Sequence, residues 1–299
     1  MKTGAPTIHL PQLPEREILT DLCREVAATE RLQPAVVEKD FYLTRLLWAL
    51  GQWFGDGLLL KGGTLLSKVD LGFRRMSEDA DFVIPAAASR YKGRNAGRLD
   101  EVRGALKALA PQVGLTLPFV QGQRSGQGTH SNWELPYASD FGPQKLLLEV
   151  SIRPVLRPAR RTVLGQLIQD EPLLGSYEDA FCWSLAADEA RAEKVRAACT
   201  REAIRDFYDL AQLLEAGHDF GSQSFVELVD AKLGEMGQAR LAQQTSAFML
   251  SDKRRARLAD SLRLDLPGVL RVGEPPFDLD ALVARFDALW SSLRAEQGS

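Results

Sequence analysis

The sequence predicts an α+β fold in which a small mixed sheet with flanking helices is followed by an all-helical C-terminal lobe. Runs typical of buried or half-buried strands occur only between residues 58 and 152. From residue 176 onward, apolar residues recur at the spacing of helices. Between these regions, residues 153–161 hold four arginines and two prolines, which is typical of a connector. We therefore expect a first domain over residues 1–160 and a helical domain over residues 161–299.

Five segments are predicted to be strands. Residues 58–60 are a short apolar run, and residues 79–84 alternate polar and apolar side chains with the period of a half-buried strand. Three further candidates lie at 115–120, 131–137 and 146–152.

Helical spacing of apolar residues predicts helices on both sides of these strands. In the N-terminal half they lie at 14–30, 34–54 and 89–110, and glycines 55 and 57 end the second one. In the C-terminal half they lie at 184–200, 203–216, 223–247, 252–264 and 278–296.

Composition excludes several classes of protein. Of the 299 residues, 45% are hydrophobic and 26% charged, which excludes a disordered chain. The formal net charge is −3, from 37 basic and 40 acidic residues, so a nucleic acid would have to be held by a local basic patch. Three widely spaced cysteines and three isolated histidines predict neither a disulfide framework nor a zinc module. Without a signal peptide or a membrane-length apolar stretch, we expect a cytoplasmic protein with no membrane partner.

Two short motifs contain the residues that are predicted to bind phosphate and a metal ion. In the first, Lys61-Gly-Gly-Thr64, a strand leads into a helix. Its two glycines let the backbone approach a phosphate, the helix N-terminus offers unpaired N–H groups, and Thr64 adds a hydroxyl. The second motif spans residues 75–81, and its Asp79 and Asp81 point to the same face of a strand. Such a carboxylate pair is costly unless a cation lies between its members, and Mg²⁺ bridging to nucleotide phosphates would satisfy it.

Glu149 is the candidate for a third carboxylate. It is the one charged residue within the apolar run 146–152, and burying it alone would be costly, so a metal at the second motif would satisfy it. Each feature alone has a simpler explanation: a turn for the glycines, a solvated strand edge for the paired aspartates, and a salt bridge to Arg153 or Lys145 for Glu149. The three features together, in this order along the chain, are a much more specific signal than any one of them alone.

These motifs resemble those of the nucleotidyltransferase superfamily related to DNA polymerase beta, and more narrowly those of the AbiEii/AbiGii toxin family, which includes the MenT toxins. That family carries GGTxLxK and RxSxDxD, which match residues 62–68 and 75–81. Its less specific segments EKD, AEK and RDxYDL match residues 38–40, 192–194 and 205–210. We expect the EKD segment to orient the N-terminal helix rather than to take part in chemistry. One departure is that the gap between the glycine pair and the paired aspartates exceeds that of compact superfamily members, although the toxin family tolerates it.

The resemblance implies a Mg²⁺-dependent nucleotidyltransferase that moves a nucleoside monophosphate from an NTP to an acceptor and releases pyrophosphate. The implied acceptor is an RNA, in particular the 3′ end of tRNA, whose modification would stop growth, and the implied protein partner is a cognate antitoxin. Mg²⁺, or Mn²⁺ in its place, would be held by Asp79, Asp81 and Glu149, and these residues are the first catalytic candidates. The implied nucleotide contacts are Gly62, Gly63, Thr64, Lys68, Ser77 and Lys194.

Lys194, Asp206 and Asp209 are further catalytic candidates. Small residues surround Lys194 on its helix, so its ammonium group could reach a triphosphate. Asp206 and Asp209 are three residues apart on one helical face and could hold Lys194 or accept a proton. The alternative is an intrahelical ion-pair network with Arg201 and Arg205, and the resemblance favours the functional pair.

Arg153, Arg157, Arg160 and Arg161 are the candidate RNA-binding residues. They follow the strand of the third carboxylate, and two prolines would keep them extended and presented to phosphates. The alternative is a solvated linker, in which case the basic run at 253–257 is the next candidate.

Two other functions use the same core. One is a transferase that modifies a small molecule or a protein, and labelling of such an acceptor in place of RNA would favour it. The other is a non-catalytic nucleotide-binding module, which the intact Asp79, Asp81 and Glu149 disfavour.

Overall fold

The computed structural model describes residues 6–87, 91–118, 124–125, 128–169, 180–291 and 293. The chain divides into two compact units. The sheet unit comprises Met1–Gly72 and Met76–Ala186, and the helical unit comprises Phe73–Arg75 and Ala187–Ser299. The predicted α+β class is confirmed: the strands lie in the sheet unit, and the described part of the helical unit consists of helices, turns and loops.

Within the described ranges, the sheet unit is built on a seven-stranded mixed sheet. Its strands are β1 (Leu59–Lys61), β2 (Asp79–Pro85), β3 (Arg124–Ser125), β4 (His130–Tyr137), β5 (Gln144–Arg153), β6 (Arg160–Val163) and β7 (Phe181–Ser184). Their order is β3-β4-β5-β2-β1-β7-β6, with β2 parallel to β5, β1 parallel to β7 and the other neighbours antiparallel. The strand with the paired aspartates, β2, is therefore central, and strands fix its backbone on both sides.

The helices of the sheet unit are α1 (Arg16–Glu30), α2 (Pro34–Phe54), α3 (Gly62–Leu65) and α4 (Lys92–Leu109). The bounds of α2 agree with the prediction, because Pro34 suits the first helical turn and Gly55, at φ +56°, ends the helix. Most of α2 is buried. It packs so closely on β7 that a methyl group at Gly51 would lie 2.7 Å from the carbonyl oxygen of Phe181.

The helices of the helical unit are α5 (Ala187–Thr200), α6 (Ile204–Glu215), α7 (Gln223–Gly234), α8 (Asp252–Leu264) and α9 (Leu279–Leu289). Aromatic rings form part of its core: the Phe286 centroid lies 5.2 Å from that of Phe220, 5.1 Å from that of Phe248 and 4.8 Å from that of Trp290. The Trp290 indole N–H donates to the Phe220 carbonyl oxygen at 2.9 Å. Packing of this kind supplies the stability that helices of 11 to 14 residues lack in isolation.

The strand predicted at 115–120 is not a strand over its described residues, 115–118. Gly114, at φ +82°, turns the chain, and the Leu115 N–H bonds back into the preceding turn at 2.8 Å. Thr116 donates to the Pro136 carbonyl oxygen of β4, but one such bond does not make a ladder. Residues 119–120 lie outside the described residues.

Strands β6 and β7 were not predicted, and residue 184, predicted to lie in a helix, ends β7. Each strand has only four residues, and β6 begins with two arginines, so neither has a clear strand pattern. Because these strands complete the sheet, the compact units divide at 186/187 rather than at 160, where composition changes. The functional division into residues 1–160 and 161–299 stays a prediction.

Two predicted helices are shorter than expected. The segment 223–247 is helical only to Gly234, because Gly237, at φ +65°, leads the chain into turns. The last helix ends at Leu289, and residues 292 and 294–299 of its predicted range lie outside the described residues. None of the helices in the described part of the chain combines the length and the apolar character needed to cross a bilayer.

Candidate active site

The first motif joins β1 to α3, as predicted. β1 ends at Lys61 and α3 begins at Gly62. Gly62 has φ +72°, and a methyl group there would lie 3.1 Å from the Cβ and Cγ atoms of Asp81. Both the backbone conformation and the close approach of Asp81 require glycine at this position.

The second motif places Asp79 and Asp81 on one face of β2, as predicted. Both residues are half-buried, whereas Ala80 between them is buried on the opposite face. Glu149 of β5 is in register with Asp81, so its side chain shares the face of the aspartates. We call Asp79, Asp81 and Glu149 the acidic face.

In the described part of the chain, Lys61 and, more weakly, Lys39 balance the charge of the acidic face only in part. Lys61 of β1 is in register with Asp81, and its Nζ lies 3.7 Å from the Oδ1 of that aspartate. Burial, followed by the charges of Asp81, Glu78 and Glu149, raises the pKa of Asp79 above its ordinary value. A set of carboxylates that repel one another in this way is stabilised by an added cation.

The donor set fits a divalent ion that brings phosphate ligands with it. Mg²⁺ is usually held by one or two carboxylates together with water and substrate phosphates, and Asp79 and Asp81 supply such a pair. In the part of the chain that the structure describes, no group of three or more His, Cys, Asp or Glu side chains has a geometry that could hold a metal ion. Glu149 as a third ligand therefore stays a prediction.

Thr64 and Ser77, two predicted nucleotide contacts, are linked to β2 and to each other. Thr64 is fully buried, and its hydroxyl donates to the carbonyl oxygen of Asp79 and lies 2.8 Å from the Ser77 Oγ. These contacts fix the start of α3 to the start of β2. Thr64 thus positions Asp79, and the contacts of Thr64 and Ser77 with a nucleotide stay predictions.

Lys68 is a buried anchor rather than an exposed cation. It lies in the π-helical turn Leu66–Asp70 that continues α3, and its side chain is 2% exposed. Its Nζ lies 2.5 Å from Asp40 Oδ1, 2.8 Å from Thr44 Oγ1 and 3.0 Å from the Gly165 carbonyl oxygen. Burial lowers the pKa of Lys68, against the opposing charge of Asp40. Lys68 thus holds α3 against α2, and its contact with a triphosphate stays a prediction.

The EKD segment links α2 to the rest of the sheet unit, in agreement with the orienting role predicted for it. Glu38 accepts a hydrogen bond from the Ser139 hydroxyl, and Lys39 Nζ lies 3.2 Å from a carboxylate oxygen of Glu78. The third residue of the segment is the aspartate that binds Lys68. All three side chains are therefore used by the fold.

Lys194, Asp206 and Asp209 meet in the helical unit, within a buried ion-pair network. Lys194 Nζ lies 2.9 Å from a carboxylate oxygen of each aspartate. Arg75 binds both carboxylate oxygens of Asp209 at 2.6 and 2.7 Å, and Arg201 binds those of Asp206 at 2.5 and 2.8 Å. The side chain of Lys194 is 5% exposed and those of the aspartates 1%. We call these five residues the ion-pair network.

The network neutralises its carboxylates. Burial alone would raise the pKa of Asp209, but Arg75 and Lys194 hold it below its ordinary value. Burial would also raise the pKa of Asp206, but Lys194 and Arg201 hold it below its ordinary value. Both aspartates hold Lys194, as the functional interpretation described, but the network joins separate segments and is not intrahelical. The catalytic roles of Lys194, Asp206 and Asp209 stay predictions.

The membership of the network differs from the sequence-based alternative in two positions. Arg205, an expected member, instead donates to the Asp265 carbonyl oxygen at 3.3 Å. Arg75, which was not expected, is 134 residues from its partner Asp209 along the chain. Its place at the start of the second motif was the only sequence signal for its importance.

Arg160, one of the four predicted RNA-binding arginines, is used by the fold. Its Nη2 lies 3.0 and 3.1 Å from the two carboxylate oxygens of Asp70. Its Nε donates to the Leu185 carbonyl oxygen at 3.1 Å. This arginine fixes β6 to the turn after α3 through its Nε and Nη2 atoms, and its role in RNA binding stays a prediction.

The other three arginines are at or near the surface. Arg161 is exposed, and its guanidinium lies 3.8 Å from the centroid of the Phe181 ring. Arg157 is exposed in the segment between β5 and β6, and Arg153 is half-buried at the end of β5. Their role in RNA binding stays a prediction.

Comparison with known proteins identifies the family. The family model described as "Nucleotidyl transferase AbiEii toxin, Type IV TA system" matches residues 45–291. No curated protein matches the chain. The chain is similar to the structure of MenT4, a nucleotidyltransferase toxin from Mycobacterium tuberculosis H37Rv, with 21% identity over 93% of this chain and 89% of that chain and a TM-score of 0.60. It is also similar to JHP933 from Helicobacter pylori, with 16% identity over 89% of this chain and 94% of that chain and a TM-score of 0.52.

At these identities the two structures demonstrate a shared fold. The family model supports membership of the family as well as the fold, because its match covers most of the chain, including the acidic face and the ion-pair network. The family resemblance predicted from the sequence motifs is thereby confirmed. The chain belongs to the AbiEii nucleotidyltransferase toxin family of type IV toxin–antitoxin systems.

Proposed function

We propose that the protein transfers a nucleoside monophosphate from an NTP to the 3′ end of an RNA, with tRNA as the acceptor, and so blocks aminoacylation and arrests growth. The observation that carries this proposal is the acidic face. Asp79 and Asp81 share one side of β2, beside a turn that only glycine permits at position 62. Family membership supports the class of reaction, and the carboxylates that crowd Asp79 and raise its pKa support a divalent cation.

Asp79 and Asp81 are the proposed ligands of Mg²⁺, and Mn²⁺ suits the same oxygen donors. When bound, the ion neutralises negative charge on the triphosphate and on the departing pyrophosphate. Gly62 and Gly63 let the backbone at the start of α3 come close to the phosphates. Thr64 keeps the start of β2 against this turn through its bond to the Asp79 carbonyl oxygen.

The bond changes follow from the reaction class. The oxygen of the acceptor hydroxyl forms a bond to the α-phosphorus, and the bond from that phosphorus to the oxygen bridging the β-phosphate breaks. The hydroxyl proton passes to Glu149, which is half-buried and in register with Asp81, or to an adjacent carboxylate. Pyrophosphate leaves with the electron pair of the broken bond.

Labelling of RNA tests the proposal. The protein is incubated with total RNA, Mg²⁺ and each α-labelled NTP in turn, and the products are separated on a denaturing gel. We expect label in the tRNA band, and no label in RNA whose terminal diol has been oxidised with periodate, since oxidation removes the 3′ hydroxyl. Label in protein or in a small molecule, with none in RNA, would instead support the alternative acceptor.

Matched variants connect the activity to the acidic face. Asp81→Asn should lower labelling by roughly 100-fold or more, because it removes a metal ligand. Glu134→Gln removes an exposed carboxylate of the same sheet, one that pairs with Lys145, and should keep the activity. Full labelling by a folded Asp81→Asn would exclude this site.

Arg153 and Arg157 are the proposed phosphate contacts of the RNA, since Arg160 is used by the fold. Each contact removed by substitution to Gln should flatten the dependence of RNA affinity on salt by a slope of roughly one. Arg160→Glu is unsuitable for this test, because it would also break the pair with Asp70.

A cognate antitoxin is the proposed partner, and the cytoplasm, which holds NTPs and tRNA, is the proposed compartment. Expression of the protein alone should arrest growth, and co-expression of its antitoxin should relieve the arrest. An Asp81→Asn protein that still arrests growth would separate toxicity from nucleotide transfer.

A further inference from the structure

The edge of the sheet formed by β6 and β7 carries an aromatic and cationic patch. On β7, Phe181 and Trp183 are half-buried, whereas the residues that alternate with them are buried. On β6, Arg161 is in register with Trp183 and Val163 with Phe181, so these four side chains share one side of the sheet. The Arg161 guanidinium stacks on the Phe181 ring at 3.8 Å from its centroid. We call Phe181, Trp183 and Arg161 the stacking platform.

The stacking platform is on the same side of the sheet as the acidic face. The register between β1 and β7 pairs Leu60 with Ser184, and both are fully buried on the other side. Lys61, the next residue, therefore points to the side of the platform, and Lys61 is in register with Asp81. β7 is two strands from β2, and Trp183 is level with Leu59, two residues along β1 from Lys61. With neighbouring strands about 4.8 Å apart and about 3.4 Å per residue along a strand, the platform begins roughly 12 Å from Asp81.

We propose that the stacking platform binds an unpaired base of the acceptor RNA while the end of that RNA reacts at the acidic face. The proposal rests on the proposed function, which it extends by naming where the acceptor binds. Aromatic rings stack on the π-face of every base, and arginine adds a cation–π contact and a phosphate donor. A base within a duplex is already stacked, so the ligand is the single-stranded end of the RNA.

The chemistry of the edge favours RNA over a protein partner. β6 and β7 contain no acidic residue, and β6 begins with two arginines. Trp183 is half-buried, and its indole N–H has no hydrogen-bond partner among the described residues. An aromatic surface with two arginines at the start of its edge strand suits a polyanion whose bases expose flat rings.

Binding of a fluorescently labelled single-stranded oligoribonucleotide, followed by anisotropy, tests the platform without requiring catalysis. Trp183→Leu keeps an apolar side chain but removes the ring, and should weaken binding roughly five- to a hundred-fold. Trp183→Phe should restore most of the affinity. Tyr91→Leu is the matched control, because Tyr91 is an aromatic residue of the same unit, outside the sheet and 74% exposed, and this variant should bind like the wild type.

A second variant keeps the proposal testable if Trp183→Leu does not fold. Arg161 is exposed on the edge strand, and Arg161→Gln should weaken binding and lower its salt slope by about one or less. The platform is wrong if the wild type binds no oligonucleotide, or if folded Trp183→Leu and Arg161→Gln bind it as tightly as the wild type does. Trp183-dependent binding by a protein that labels no RNA would uphold the platform and count against the proposed reaction alone.

Discussion

The acidic face of the sheet unit and the ion-pair network of the helical unit both contain a pair of aspartates close together in sequence, yet their electrostatics are opposite. Asp79 and Asp81 are half-buried and poorly balanced, and the pKa of Asp79 is raised. Asp206 and Asp209 are almost fully buried, but arginine and lysine pair with both of them and hold their pKa values below the ordinary range.

The contrast shows that burial alone does not separate a functional carboxylate from a structural one. What differs is whether the fold itself supplies the opposite charge. In the ion-pair network it does, so removal of one partner would leave a buried charge without its counter-charge. On the acidic face it does so only in part, and a divalent cation with its nucleotide completes the balance in our proposal.

The largest effect is expected when one member of the ion-pair network is removed. Asp209→Asn leaves Arg75 and Lys194 without their common partner, and should lower the free energy of unfolding by about 3–5 kcal/mol. Arg257→Gln, which removes an exposed pair with Glu202, is the control and should lower it by about 1 kcal/mol or less. Urea unfolding of both variants measures the difference. Equal, small losses would mean that the network does not stabilise the helical unit.

The second prediction concerns the turn beside the acidic face. Gly62→Ala forces an L-residue to φ +72° and drives its methyl group into Asp81, so we expect a loss of about 1–2 kcal/mol of stability and a clear loss of nucleotide transfer. Gly57→Ala is the control, because Gly57 has open space around its Cα. Thermal melting and RNA labelling measure the two effects. Wild-type labelling by Gly62→Ala would show that Asp81 does not need its present position.

Local sequence patterns predicted the parts of the molecule that depend on one segment at a time. The bounds of α2 and α8 and the shared face of Asp79 and Asp81 agree with the structure, because periodicity, capping residues and strand alternation act within a few residues. The turn at Gly62 was also predicted, because it too depends only on residues that are adjacent in sequence.

The sequence could not reveal which distant residue balances each charge. For Lys68, the sequence predicted a triphosphate contact but not its partners within the fold, which include Asp40 on α2 and a backbone carbonyl 97 residues further on. Arg75 similarly meets Asp209 across 134 residues. A pattern shows that a side chain is buried or on a given face, but only the tertiary fold decides what covers it.

The third prediction is the effect of acid on the network. A carboxylate whose pKa is lowered in the folded state stabilises the protein above its unfolded pKa of about 4, and this stabilisation is lost as the pH falls through the folded value. The difference in unfolding free energy between the wild type and Asp209→Asn should therefore be constant from about pH 7 to pH 5 and narrow below about pH 4. Urea unfolding at several pH values measures it. Narrowing that is complete by pH 5 would contradict the lowered pKa of Asp209.

The smallest expected effect, and the sharpest test of the contrast, is a gain of stability on the acidic face. Burial and neighbouring carboxylates raise the pKa of Asp79, so its charged form is disfavoured in the folded protein at neutral pH. Asp79→Asn without Mg²⁺ should therefore raise the melting temperature of the protein at pH 7, on the order of 1–2 °C.

Two controls decide whether the gain in melting temperature comes from unbalanced charge. Asp140→Asn removes an exposed aspartate that pairs with Arg16 and whose pKa is lowered, so the same substitution there should not raise the melting temperature. Addition of Mg²⁺ with a non-hydrolysable NTP should stabilise the wild type more than Asp79→Asn, because the wild type alone keeps both aspartate ligands. If Asp79→Asn melts below the wild type without Mg²⁺, or if Mg²⁺ and the nucleotide stabilise both proteins equally, the fold already balances the acidic face, and its contrast with the ion-pair network disappears.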